Sequence, residues 1–151
     1  SQREYLSSCP ASMEMKLGEG RSLLCVHGSP RHFEEGISPA TTNAELEEML
    51  SGVSSDVICA GHTHVQLARR FCRQMVVNVG SVGCAFEEVF SGEPPTLLPW
   101  AEFAIISGDD GGVQVELKRC RYEISEQVQA ILSSGMPHSV SWAKQWQRLV
   151  E

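Results

Sequence analysis

Short apolar runs that end at glycine-containing turns dominate the hydrophobic pattern of this chain. Ser22–Val26 and Asp56–Ala60 are two such runs, and each predicts a buried strand. The segment between them predicts a helix, because Thr42 and Glu45 have the spacing of a capping box before an apolar stripe. Gly52 is expected to end that helix. A strand, a helix and a strand in this order predict a βαβ unit with parallel strands.

After this unit the pattern changes to paired strands. Val65–Cys72 and Met75–Val79 predict two strands joined by a tight turn. Glu102–Ile106 and Val113–Tyr122 flank a turn rich in glycine and aspartate, so they predict an antiparallel hairpin. The alternation of apolar and polar residues slips near Lys118, which predicts a bulge in the second strand of that hairpin.

Apolar residues at helical spacing predict two helices at the end of the chain. Ser125 is expected to cap the first, which Gly135 and Pro137 end, and the second is expected to cover about residues 139–150. Their apolar stripes are formed by Val128, Ile131 and Leu132 in the first helix and by Trp142, Trp146, Leu149 and Val150 in the second. Two stretches carry no regular pattern: a proline-containing loop at residues 84–100, and residues 1–20, which look like a segment cut from something longer.

Composition and charge narrow the class of protein. The 151 residues are 42% apolar and 21% charged, which is typical of one soluble globular domain. The net charge of −7 comes without a block of lysine and arginine, so nucleic acid is not expected as a bulk partner. No apolar run approaches the roughly 18 to 20 residues of a membrane-spanning helix, so no membrane association is expected.

The cysteines favour a reducing compartment. The six cysteines contain no Cys-x-x-Cys pair, and four of them lie in apolar strand-like runs, where a free thiol behaves as a small hydrophobic group. The first 20 residues also lack the apolar core of a signal peptide. These features predict a cytoplasmic protein, with paired disulfides in a secreted chain as the alternative.

Three of the five histidines directly follow the predicted buried strands. His27 comes after the first strand, and His62 and His64 come after the second. Because the carboxyl ends of parallel strands meet at one edge of a sheet, these rings are expected to lie close together. Neutral imidazoles suit Zn, Mn or Fe at about 2.0–2.2 Å, and Gly28 and Gly61 are expected to leave room for a metal ion. The His-x-His spacing suits one ion in an extended segment, or two neighbouring ions in a bent loop.

The alternative for each of these histidines is a solvated or hydrogen-bonded ring with no metal. His32 and His138 follow no buried strand and are expected at the surface. Asp56 precedes its strand and is expected to be a strand-start or turn residue rather than a ligand. Residues 78–83 contain two glycines, which permit either close backbone approach or a simple turn.

Three motifs are similar to the last three motifs of bacterial calcineurin-like phosphoesterases, in the same order. They are Cys-Val-His-Gly-Ser-Pro-Arg at 25–31, Ala-Gly-His-Thr-His-Val at 60–65 and Val-Asn-Val-Gly-Ser-Val-Gly at 77–83, and the likeness covers roughly residues 20–122. The chain resembles the C-terminal half of such a domain. This implies an α/β fold that is half of a metallophosphoesterase-type β-sandwich flanked by helices. Residues 1–151 would form a single domain, with 123–151 as a C-terminal helical extension.

The resemblance implies metal-dependent hydrolysis of a phosphate ester, by phosphatase or phosphodiesterase chemistry. In that family two divalent ions clamp the phosphoryl oxygens while a hydroxide attacks phosphorus in line. By the same resemblance His27 and His62 would bind the second ion and His64 the first, with the backbone of residues 78–81 beneath them. The substrate would be a phosphorylated small molecule or a phosphoprotein.

The chain departs from the family pattern in its carboxylates. The earlier family motifs, Asp-x-His, Gly-Asp-x-x-Asp and Gly-Asn-His, are absent, and the general acid with them, so no catalytic residue is assigned. Because carboxylates balance the charge of two adjacent ions, this chain alone is expected to hold at most one ion, weakly. Histidine ligands accept Mn, Fe, Zn, Ni or Co.

Two functions are open on this basis. The first is an enzyme whose carboxylate-bearing N-terminal half lies on another segment or chain. It would leave an apolar sheet face exposed and favour association with that half or with a second copy. The second is a binding or scaffold module that keeps the fold without catalysis and acts through a surface such as the helix with Trp142 and Trp146.

Overall fold

The computed structural model describes residues 2–18 and 20–149 of the chain. In chain order, the helices and strands are α1 (Gln2–Ser8), β1 (Ser12–Leu17), β2 (Arg21–Val26), α2 (Asn43–Met49), β3 (Val57–Ala60), β4 (Leu67–Phe71), β5 (Gln74–Asn78), β6 (Trp100–Asp109), β7 (Gly112–Arg121), α3 (Ile124–Ser133) and α4 (Ser139–Gln147). No helix in the described part of the chain is long and apolar enough to cross a membrane.

A five-stranded mixed sheet carries the predicted site. Its strand order is β1-β2-β3-β5-β4, in which β2, β3 and β5 run parallel and the two outer strands run antiparallel to their neighbours. The predicted βαβ unit is confirmed, because α2 connects the parallel strands β2 and β3. The carboxyl ends of β2, β3 and β5 therefore meet at one edge of the sheet, as the predicted α/β fold requires.

Helix α2 covers one face of this sheet. Its predicted capping box is present: the Thr42 hydroxyl accepts a hydrogen bond from the Glu45 N–H, and the Glu45 carboxylate accepts one from the Thr42 N–H. The core under the helix includes four fully buried side chains, namely Ile37, Leu46, Ile58 and Val76. Each buried aliphatic side chain of this kind contributes about 1.5–3 kcal/mol to the free energy of unfolding.

The β6–β7 hairpin packs against the other face. It contributes Ala104, Ile106, Val113 and Val115 to a core around Leu23, Val57 and Val77. The predicted hairpin is confirmed, but the bulge expected near Lys118 is wrong, since β6 and β7 pair one to one along their whole length. The Arg119 side chain is 58% exposed, but its Nε is 3.3 Å from the buried carboxylate of Glu102 and its guanidinium is 4.8 Å from the Trp100 ring centre. An ion pair with a buried acid therefore explains the slip in the polar pattern.

Two elements in the first 20 residues were not predicted. Helix α1 and strand β1 lie where the sequence has no clear periodicity. Five of the six β1 residues are exposed, so the strand lacks the buried stripe that sequence patterns detect. Its pairing with β2 alone identifies it as a strand.

Helix α3 begins earlier than predicted. Its first residue is Ile124, and Glu123 rather than Ser125 is the N-cap, without a side-chain hydrogen bond to the helix. Burial of the Ile124 side chain fixes this start, since that residue is only 7% exposed. Leu132 was expected in the apolar stripe but is 41% exposed, whereas the other two stripe residues are buried.

Helices α3 and α4 form a second core together with the loop at residues 84–100, which contains one antiparallel bridge. Trp146 is 4% exposed at the centre of this core, and its indole N–H donates to the Tyr122 hydroxyl at 3.2 Å. Trp142 is 39% exposed at the rim. Val150, which was also predicted on this stripe, lies outside the described residues.

Candidate functional site

His27 and His62 meet at the carboxyl edge of the main sheet. His27 follows β2 directly, and His62 follows β3 after one glycine. The Gly61 N–H donates to the His27 carbonyl at 2.9 Å, which extends the pairing of the two strands into the loops. His27 Nε2 and His62 Nδ1 are 3.1 Å apart, with the ring planes at 77°. The strand ends thus bring two of the three predicted ligands into direct contact.

The loop that carries His62 and His64 has a strained backbone. Both residues have positive φ values, 64° and 59°, in the left-handed region that residues other than glycine rarely adopt. Such a conformation costs on the order of 1–3 kcal/mol and clusters at functional sites. The loop is therefore bent, and its two rings have different partners.

Asn78 holds this loop from beneath. Its side chain is 0% exposed, and its Nδ2 lies within 2.6 Å of the Gly61 carbonyl, 2.9 Å of Thr63 Oγ1 and 3.0 Å of the Ile37 carbonyl. Its Oδ1 accepts a hydrogen bond from the Gly80 N–H at 3.0 Å. The resemblance implied a role for only the backbone of this region. A single asparagine at the end of an otherwise apolar strand was the signal for the side chain.

His64 is oriented by a backbone carbonyl. Its Nδ1 lies 2.7 Å from the carbonyl oxygen of Cys84, so Nδ1 carries the proton and donates it. The ring also packs against Phe86 at 4.8 Å between centroids. Metal-binding histidines commonly donate their second ring N–H to a carbonyl in this way. The arrangement leaves Nε2 of His64 as the available ligand atom.

A chain of hydrogen bonds supports the Cys84 carbonyl. The Cys84 N–H donates to Ser81 Oγ at 3.1 Å, and the Ser81 carbonyl accepts from the Glu102 N–H at 2.9 Å. The hairpin therefore reaches His64 through two intermediate residues. No pattern in the sequence indicated these contacts, because they join segments that are distant along the chain.

The surroundings favour the neutral form of His27. Loss of hydration lowers the pKa of His27 below its ordinary value, and the positive charges that His62 and His64 can carry lower that pKa further. Neutral imidazole is the form that binds metal ions. His27 is therefore in its ligand form near neutral pH.

The loop after His27 closes on itself. A Cβ at Gly28 would lie 2.3 Å from the Phe33 carbonyl oxygen, so glycine is required for close backbone approach. The expectation that Gly28 leaves room for a metal ion is therefore wrong. The Arg31 guanidinium pairs with the Glu35 carboxylate, so its positive charge is balanced within the loop.

A metal ion fits between His27 and His62 by distance, although the ligand set is incomplete. Two nitrogen ligands of a tetrahedral zinc ion lie about 3.3 Å apart, given metal–nitrogen distances of about 2.0–2.1 Å. The observed separation is 3.1 Å. Within residues 2–18 and 20–149, however, no three His, Cys, Asp or Glu side chains form a group that could hold an ion.

The three aspartates of the chain lie away from the histidines. Asp56 is at the opposite edge of the sheet, where its carboxylate accepts a hydrogen bond from the Ser22 N–H at 2.8 Å, as expected for a strand-start residue. Asp109 and Asp110 belong to the β6–β7 turn, where Asp109 accepts from the Gly111 N–H. The chain therefore brings no aspartate to the candidate site. The other two histidines, at positions 32 and 138, are exposed as predicted.

A crevice of about 280 Å³ opens beside His62. It is lined by Gly36, Ser38, His62, Thr63, Phe86, Val89 and Phe90. A second crevice of about 360 Å³ opens beside His27. A wider crevice of about 560 Å³ lies at the opposite edge of the sheet, around Asp56 and Arg73. Volume alone therefore does not identify the site, whereas contact with His62 does.

The family of the chain follows from a sequence comparison. A model of the calcineurin-like phosphoesterase superfamily domain matches residues 1–96. That range includes all three candidate histidines. It begins and ends earlier than residues 20–122, over which the sequence motifs resemble the family. A search of curated proteins found no match.

Several solved structures share the fold. Hypothetical protein PH1004 from Pyrococcus horikoshii OT3 is 24% identical with a TM-score of 0.71, over 91% of this chain and 51% of its own. A metallophosphoesterase from Sphaerobacter thermophilus is 23% identical with a TM-score of 0.68, over 95% of this chain and 61% of its own. Vps29 from Entamoeba histolytica, complexed with Zn²⁺, is 16% identical with a TM-score of 0.50, over 77% of this chain and 63% of its own. This chain thus spans 51% and 61% of the first two proteins, and it belongs to the calcineurin-like phosphoesterase superfamily.

Proposed function

We propose that this chain supplies the histidine half of a metal-dependent phosphoester hydrolase. One observation carries the proposal: His27 Nε2 and His62 Nδ1 are 3.1 Å apart, a separation suited to two ligands of one ion. The strained backbone at His62 and His64 supports it, because such strain clusters at functional sites. Residues 1–151 would then be the C-terminal portion of a metallophosphoesterase domain. The carboxylate-bearing part would lie on an upstream segment or on a partner chain.

Each histidine has a distinct task in this proposal. His27 and His62 hold one divalent ion, and His64 presents Nε2 to a second, with Mn, Fe and Zn as candidates. When bound, the ions supply Lewis-acid polarisation of the phosphoryl oxygens. The chain itself keeps the ligands ready: desolvation lowers the pKa of His27, and the Cys84 carbonyl fixes the tautomer of His64.

The crevice beside His62 is the proposed place for the organic part of the ester. Phe86 and Phe90 form part of its wall, together with His62. Hydrolysis joins phosphorus to a water oxygen, which releases one proton, and breaks the bond from phosphorus to the leaving oxygen, which takes up one proton. The acid that delivers this proton is assigned to the partner half, because the chain has no matching motif.

Equilibrium dialysis against zinc or manganese tests the ligand assignment. The wild-type chain should bind up to about one ion, and the His62→Ala/His64→Ala variant should lose it. The matched control is His32→Ala/His138→Ala, which removes two exposed histidines and should bind as wild type does. Binding that is absent from the wild type, or retained by the His62→Ala/His64→Ala variant, would contradict the proposal.

Restoring the other half tests the activity. The N-terminal segment of the Sphaerobacter thermophilus metallophosphoesterase, fused upstream of this chain, should produce hydrolysis of an aryl phosphate. His64→Ala should lower that rate by about a hundredfold or more, because it removes a ligand from a two-metal site. A fusion that folds and binds metal but does not hydrolyse the ester would count against the proposal.

A binding or scaffold module is the second candidate. It is favoured by the incomplete ligand set within the described residues and by the apolar surface of α4, where Val140 is 59% and Trp142 39% exposed. Affinity capture with wild type, Trp142→Ala and His64→Ala separates the two candidates. A scaffold loses its partner with Trp142→Ala and is indifferent to His64→Ala.

A further inference from the structure

Strand β1 ends the main sheet with an uncovered edge. It pairs with β2 on one side, and no strand among residues 2–18 and 20–149 pairs with its other side. Five of its six residues are exposed. An edge of this kind presents unpaired N–H and C=O groups, so it is a template for a further strand.

The side chains of β1 alternate between an apolar and a charged face. Met13 and Met15 are 49% and 41% exposed, and they lie on the face that the hairpin covers elsewhere, since they pair opposite Cys25 and Leu23. The charged residues of the strand are Glu14 and Lys16, on the other face, and neither forms an ion pair within the described chain. One acid and one base, two residues apart, are thus left without partners on an open edge.

We infer that this edge binds β1 of a second copy of the chain, antiparallel, about a two-fold axis at Met15. In that register Met15 faces its own copy, Met13 faces Leu17, and Glu14 faces Lys16. The symmetry forms the Glu14–Lys16 pair twice. Opposite charges that face each other across strands stabilise the pairing, and like charges destabilise it.

Other registers centred on this strand are worse. A shift by one residue places Met15 on the same face as Glu14 or Lys16, because side chains alternate with a period of two. Moving the axis to Glu14 or to Lys16 places two like charges directly opposite each other. Only the axis at Met15 satisfies the charges and the apolar face together.

The interface is small, so the dimer is weak. Two six-residue strands bury less than the roughly 1,200–2,000 Å² of stable complexes. A dissociation constant on the order of 10–100 µM is expected for such a contact. The sheet edges that carry the candidate histidines of the two copies point in opposite directions in this dimer. The dimer therefore does not complete either metal site.

Sedimentation velocity over about 5–500 µM protein tests the dimer, a range that brackets the expected dissociation constant. Glu14→Lys and Lys16→Glu should each weaken association about tenfold to thirtyfold, because two attractive pairs become repulsive. The combined Glu14→Lys/Lys16→Glu variant restores both pairs with reversed sign and should return to within about threefold of wild type. Glu47→Lys, on the exposed side of α2, makes the same change in net charge as Glu14→Lys and should leave the dimer unchanged.

Three results would overturn the inference. The first is a wild type that stays monomeric across the range. The second is a dimer whose dissociation constant is unchanged by the single charge changes. The third is a combined variant that associates no more tightly than the single variants. Circular dichroism of each variant confirms that it is folded. Met15→Cys checks the register separately, in a background where the exposed Cys9, Cys72 and Cys120 are changed to serine. Mild oxidation should link the two copies at position 15, whereas Ser12→Cys in the same background should not link. A dimer without that link would overturn the axis at Met15.

Discussion

The three candidate histidines at the carboxyl edge of the main sheet are held by two different kinds of structure. His27 and His62 stand at the ends of adjacent parallel strands and touch each other directly. His64 is oriented by the carbonyl of Cys84, 20 residues along the chain, and by the ring of Phe86. Both of these residues pack with the core of α3 and α4. The sheet therefore positions the first two rings, while the C-terminal helices support the third.

This difference gives the C-terminal helices a part in the site. The loop that they pack against supplies the hydrogen-bond partner of His64. Damage to the helical core should therefore disturb His64 and spare the pair of His27 and His62. Damage to the loop that carries His62 and His64 should disturb those two rings together.

The largest expected effect comes from Trp146→Ala. Removal of this indole should lower the free energy of unfolding by about 3–5 kcal/mol, because the side chain fills the helical core. Nitrogen NMR should report a change in the Nδ1 hydrogen bond of His64 and unchanged signals from His27 and His62. Trp142→Ala is the matched control, with a smaller loss of stability and no change at His64. Equal disturbance of all three rings by Trp146→Ala would break the comparison.

Asn78→Ala should have the next largest effect. It should lower the free energy of unfolding by about 2–3 kcal/mol, because it leaves buried carbonyls of the loop without a donor. The same spectra should show changes at His62 and His64 together. Asn43→Ala, in the first turn of α2, is the control and should leave these rings unchanged. Unchanged His62 signals in Asn78→Ala would show that strand pairing alone holds the loop.

Thr42→Ala separates loss of stability from loss of the site. It removes the capping box of α2 and should lower the free energy of unfolding by about 1 kcal/mol. All histidine signals should stay as in wild type, because the hydrogen bonds of the Thr42 side chain go to Glu45 and not to the histidines. Urea unfolding gives the first quantity and NMR the second. Altered histidine signals here would mean that modest destabilisation anywhere reaches the site.

The smallest expected effect is on the titration of His27. Its pKa should lie below the ordinary value of about 6.5. His62→Ala should raise it only part of the way back, because desolvation is the larger cause of the shift. Proton NMR titration measures both values. A His27 midpoint at or above the ordinary value in wild type would contradict the proposed surroundings.

The same shift has a consequence for stability. The unfolded chain protonates His27 at a higher pH than the folded chain does, because the folded pKa is lowered. This contribution to the free energy of unfolding is therefore present above about pH 6.5 and is lost as the pH falls through the folded pKa. The effect should be smaller in His62→Ala than in wild type.

Much of the fold could be predicted because its signals are local. The capping box of Thr42 and Glu45 and the apolar run of β3 need only neighbouring residues to be recognised. The wrong bulge near Lys118 arose because Arg119 pairs with the buried Glu102, a residue in another strand. Strand β1 was missed for a related reason, since its exposed residues reveal a strand only beside β2.

Local sequence patterns were also enough to predict that His27 and His62 lie close together. Parallel strands joined by a helix must end at the same sheet edge, so residues that follow those strands become neighbours whatever the rest of the fold does. The tertiary structure decided the remainder: which nitrogen of His62 faces His27, the tautomer of His64, and the support from Asn78. These features depend on hydrogen bonds between segments that are far apart along the chain. The residue pattern within one segment does not predict which residue of a distant segment will be its hydrogen-bond partner.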